Sequence, residues 1–175
     1  MPENITVKPI RRVVTGHDEN GKAVIVHDGP APHVNEFPKR PGFGITQFWV
    51  SDTTPASNAG DEDTSERAFE LLPPNGGLVF RMLEYPPGEA GHGDAGREAI
   101  QQHKIEGAKH AGMHKTCTVD YTVVLSGQTD MELDDSVTRL YAGDVVVQRG
   151  TAHAWSNPGL EPCQILFVLV DAEPF

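Results

Sequence analysis

The chain has 175 residues, which allows one domain with a core of its own and no need of covalent staples. Its 25 acidic residues against 14 basic ones give a formal net charge of −11. That charge argues against nucleic acid and anionic membrane as partners, because both demand a basic footprint. Cys117 and Cys163 are too few for a disulfide framework and read as thiols of a reducing compartment. The opening MPENITVKPIRRVV has no apolar leader, and no apolar run approaches the roughly 20 residues that span a bilayer, so the expected location is cytoplasmic.

In chain order, RRVVTG and KAVIVH are β-branched runs joined by Glu19-Asn20-Gly21, which predicts a hairpin from Arg11 to His27. DGPAPHVNEFPKRPGFG is too rich in proline and glycine for regular structure and reads as an arm. Residues 1–44 are therefore expected to pack as hairpin and arm on a barrel formed by 45–175, or on the partner subunit of a homodimer. ITQFWV is a short strand, and the acidic stretch SDTTPASNAGDEDTSERAFE is a long loop, with or without a role as a lid. Pro73-Pro74 and Pro86-Pro87 fence a strand from Leu78 to Tyr85. Phe80, Met82 and Glu84 share one face of it and Arg81, Leu83 and Tyr85 the other, so either Arg81 or Glu84 projects inward; the sequence leaves open which. A short helix is expected over Arg97 to Ile105.

From Thr118 onward TVDYTVVLSG, QTDMELDD, SVTRLYAG, DVVVQRG, HAWSN and CQILFVLVDA read as six short strands with turn residues between them. Polar residues cluster at two places in this region: His114-x-Thr116 followed by Asp120 and Gly127, and Gly143-Asp144 followed by Gln148, Gly150, His153 and Asn157. Alternation along a strand puts His114 and Thr116 on one face, and His153, Trp155 and Asn157 on one face. Strands that curl into a barrel can bring these faces to one interior point.

On these residues the chain resembles the cupin family. Gly107, His114 and Gly127 match the family's first motif, and Gly143, Gly150, His153 and Asn157 its second. Thr116 stands where the family has a second histidine, Asp120 where it has glutamate, and Gln148 where it has proline. The resemblance implies an all-β fold, a single cupin-type jelly-roll β-barrel with N-terminal strands extending its sheets and little helix. It further implies a divalent transition metal (Fe, Zn, Mn or Ni) held by His114, Asp120 and His153, donors that suit an open catalytic site.

In that reading Thr116 hydrogen-bonds a bound water or substrate and Arg81 contacts substrate, while Gln148 either points its carboxamide into the pocket or begins the turn before Gly150, and Trp155 either contacts substrate or fills the core. His110 is a replacement ligand or a solvated loop residue. The expected function is a metal-dependent enzyme acting on a small organic molecule, of aromatic or polyketide-like type, by Lewis-acid or O2 chemistry. Oxygenase, decarboxylase, isomerase and dehydratase activities are all compatible with the fold. The alternative is a non-catalytic, metal-free barrel that binds a small molecule, with His114 and His153 bonded to each other, to Thr116 or to water.

Overall fold

Short β-branched runs bounded by glycine and proline form eleven strands among the residues that the computed structural model describes, namely 7–38, 40–88, 103, 105, 106, 108 and 112–175. β1 (Arg11–His17) and β2 (Ala23–Pro30) make the expected hairpin, with Gly21 at φ 75° in its turn. β3 (His33–Glu36) departs from the expectation of an irregular arm. It pairs antiparallel with β4 (Gly44–Ser51), because HVNE lies between the prolines at 32 and 38 and is free to extend. The helix expected over Arg97 to Ile105 lies almost wholly outside the described residues. No helix among those described is long and apolar enough to cross a membrane.

β5 (Leu78–Tyr85), β6 (Thr118–Ser126), β7 (Gln128–Glu132), β8 (Val137–Tyr141), β9 (Val145–Arg149), β10 (Ala154–Ser156) and β11 (Cys163–Asp171) complete the set. They assemble into a six-stranded sheet of order β3-β4-β5-β11-β6-β9 and a three-stranded sheet of order β10-β7-β8. Alternation on β6 shows how the core is chosen: Thr118, Asp120, Thr122 and Val124 are buried while Tyr121 and Leu125 are exposed. Phe43, Tyr85, Val124, Met131, Leu140, Trp155, Ile165 and Phe167 belong to one core cluster that spans both sheets. Burial of each large side chain in it contributes roughly 1.5–3 kcal/mol. The aromatic members meet at edges, with Trp155 and Phe167 centroids 5.7 Å apart and Phe43 and Tyr85 5.2 Å apart.

The six-stranded sheet is covered on its other face as well. Ala31, Phe48 and Met82 form a second small cluster, against which Ile10, Phe80 and Leu166 pack. Arg12, 6 % exposed, reaches from the hairpin to the Asp63 carboxylate and donates to the Phe48 carbonyl at 2.9 Å. Asp63 in turn accepts from Ser65 N–H and caps the 3-10 turn Thr64–Glu66. The Thr64 hydroxyl accepts from Val50 N–H, and Gln47 Nε2 donates to the carbonyls of Ser65 and Arg67. These bonds tie the end of the acidic loop to β4 and aim the residues after it at the barrel mouth.

Candidate functional site

The site begins with a pairing of backbone. His114 and His153 form an isolated antiparallel bridge in which each N–H donates to the other's carbonyl at 3.0 Å. Residues directly opposite in such a pair present side chains to the same face, and the two imidazoles lie with centroids 4.3 Å apart. His114 Nδ1 is 3.1 Å from the Gly112 carbonyl and His153 Nδ1 is 2.9 Å from the Thr151 carbonyl. A carbonyl only accepts, so each Nδ1 carries the proton and each Nε2 a lone pair. Burial keeps both rings neutral. It lowers His114 below the ordinary histidine range, and with the neighbouring His114 it lowers His153 to about 3.

These imidazoles open into a cavity of about 680 Å³, counting its mouth, where Arg81, Thr116, Asp120 and Trp155 join them. The structure thus brings together six of the seven residues singled out from the sequence. Gln148 is the exception. It is buried opposite Asp120 on β9, but it does not line the cavity, and neither atom of its carboxamide has a hydrogen-bond partner. Thr116 lines the cavity, yet its hydroxyl is already bonded to that of Thr118 at 2.8 Å, since both stand on the same face two residues apart. His110 lies outside the described residues.

β5 turns its Arg81 face inward. Glu84, on the opposite face, accepts from Lys8 N–H at 3.2 Å and from Gln164 Nε2 at 2.5 Å. Asp120 is 2 % exposed, and its Oδ1 has no hydrogen-bond partner among the described residues. Burial pushes its carboxyl up to about 6, against smaller downward pulls from the Thr118 hydroxyl and from Arg81. Burial likewise lowers Arg81 to about 10, with Asp120 opposing. The remaining wall is apolar, and part of it is absent from the sequence reading: Phe37 and Phe43 from the arm, Phe69 and Leu71 from the segment after the 3-10 turn. Aromatic residues in an otherwise polar or proline-rich stretch were the available signal.

The Cupin domain family matches residues 96–169, the stretch that carries both histidines, Asp120 and Trp155. The oryzines biosynthesis cluster protein J of Aspergillus oryzae is 30% identical over 174 residues, covering 94% of this chain and 84% of that protein. The chain belongs to the cupin family. Among other similar proteins, the phomopsin biosynthesis cluster protein C' of Diaporthe leptostromiformis is 29% identical over 98% of this cupin and 84% of its own length. The cupin-domain-containing oxidoreductase virC of Hypocrea virens is 28% identical over 93% of this cupin and 76% of its own length.

The metal that the family implies was tested against the donors present. Two neutral imidazoles with lone pairs on Nε2 suit a divalent ion. Among the described residues, however, no three His, Cys, Asp or Glu side chains are grouped to hold one. His114, Asp120 and His153 share a cavity without closing as a three-ligand centre.

Proposed function

We propose that this cupin is an enzyme that transfers a proton on a small, largely apolar organic substrate bound in the barrel cavity. The observation that carries the reading is the Asp120 carboxyl, buried in a largely apolar cavity with Oδ1 lacking a hydrogen-bond partner among the described residues. A carboxyl held near 6 accepts and returns a proton at neutral pH far more readily than an ordinary aspartate. Trp155 Nε1–H, also buried and without a partner among the described residues, is a donor for a substrate carbonyl and for the negative charge that grows on it as the neighbouring carbon loses its proton. The neutral His153 Nε2 accepts from a substrate hydroxyl. Isomerisation and dehydration are the reaction classes such a set serves.

The relatives support the setting, since they carry names of biosynthetic clusters. Others are named oxidoreductases.

The test is hydrogen exchange in D2O on a panel of small aryl and alkyl keto and hydroxy compounds, followed by NMR, with metal content measured on the same untagged protein. The full chain should catalyse exchange next to the carbonyl of at least one class. Asp120→Asn should lower it by roughly 10²–10⁴-fold with the fold intact. Exchange that survives the substitution would overturn the role of Asp120. Binding without exchange anywhere in the panel would favour the non-catalytic alternative.

A further inference from the structure

Among the described residues Arg81 is the one cation lining the cavity, and they leave it largely unmatched. It is 2 % exposed at the middle of β5, and its guanidinium carbon stands 4.9 Å from the Phe69 ring centroid. A guanidinium has five N–H donors. Among the described residues Arg81 satisfies one through Nη2, donating to the Leu71 carbonyl at 3.0 Å, and Nε has no partner. Among the described residues no carboxylate forms an ion pair with it; Asp120 acts on it only at longer range. Taking such an ion out of water costs several kcal/mol, and an arrangement that leaves most of its donors unused is incomplete.

We propose that Arg81 is the anchoring residue for a carboxylate group of the substrate, so that the ligand class is a small monocarboxylate with an aromatic or hydrocarbon body. The planar guanidinium matches a carboxylate with two parallel hydrogen bonds, and the surrounding desolvation strengthens them. Phe37, Phe43, Phe69, Leu71, Trp155 and Phe167 around it offer no second cation and accept only an apolar remainder. The bond to the Leu71 carbonyl adds a structural link, because it ties the anchor to the segment that walls the mouth. A ligand held there by its carboxylate lies with its body across Trp155 and toward Asp120, which share the cavity.

This inference rests on the cavity being the substrate site, but its test needs no turnover and so fails or succeeds apart from the proton-transfer reading. Binding of benzoate and octanoate to the full-length protein is compared with that of benzamide and octanamide, near neutral pH, by calorimetry. The carboxylates should bind at least about tenfold more tightly than the amides, the size of one charge-assisted pair. In Arg81→Gln that preference of acid over amide should vanish, and in Arg81→Lys it should shrink but persist. Equal affinity for acid and amide in the wild type, a preference that survives Arg81→Gln, or no binding of any of the four would overturn the proposal. Should Arg81→Gln not fold, the wild-type preference and its reduction in Arg81→Lys decide the matter.

Discussion

At the scale of single residues, the site is built from groups that the fold strains in charge rather than in geometry. Asp120 is the clearest case. Its folded-state pKa of about 6 lies above the ordinary 3.8, so the native state binds the extra proton between those values. Stability should therefore fall as pH rises from about 3.8 to about 6 and level off above, the reverse of a salt-bridged aspartate. Asp120→Asn removes the ionisation and keeps the shape. It should raise stability by about 3 kcal/mol at pH 8, with the gain absent at pH 4, as read by urea unfolding at the two pH values. A gain in stability with a loss of exchange activity is the behaviour of a residue kept for chemistry. The sequence pointed to His114, Asp120 and His153 at motif positions, Asp120 in place of a glutamate, and to Trp155 by its alternation with His153 on one strand face. It could not choose between Arg81 and Glu84, because both faces of β5 are covered: one by the barrel core, the other by the N-terminal segment through Lys8 and by Ala31. Two-sided burial erases the polar-out signal on which such a choice depends.

Among the elements, those whose boundaries are set by local chemistry were legible. β5 runs from Leu78 to Tyr85, the very limits its flanking prolines predict, and the six strands after Thr118 all form. β3 was hidden because prolines bracket it and only its pairing with β4 makes it a strand. Turns give a test of how tightly elements are joined. Gly127, between β6 and β7, has φ 71°, and a Cβ there would meet the Pro162 carbonyl oxygen at 2.6 Å and Cys163 Cα at 2.9 Å. Gly143, between β8 and β9, has φ 96° with nothing within 4 Å of a Cβ. Gly143→Ala should cost about 1–2 kcal/mol from backbone strain alone. Gly127→Ala should cost clearly more, above about 3 kcal/mol, because backbone must also move. Thermal unfolding of both variants checks the order, and equal costs would contradict the close packing of the β6–β7 turn on β11.

Across the whole molecule, the site depends on contributions that no local pattern reveals. The arm, paired to β4 through β3, contributes Phe37 and Phe43; the segment beyond the 3-10 turn contributes Phe69 and Leu71 and is held by bonds from Arg12, Gln47 and Arg81. The N-terminal region folds onto its own sheet through β3, Ile10 and Ala31, and so closes the cavity from outside the stretch that carries the family motifs. Enclosure by these distant pieces desolvates Asp120, and that desolvation is the core of the functional account. The most direct test is the titration of the Asp120 side-chain carbonyl carbon, followed by ¹³C NMR on the full chain with Asp120→Asn as the assignment control. The account predicts a midpoint of about 6. A midpoint at or below 3.8, as for a carboxylate paired with Arg81 or bound to a metal, would contradict it.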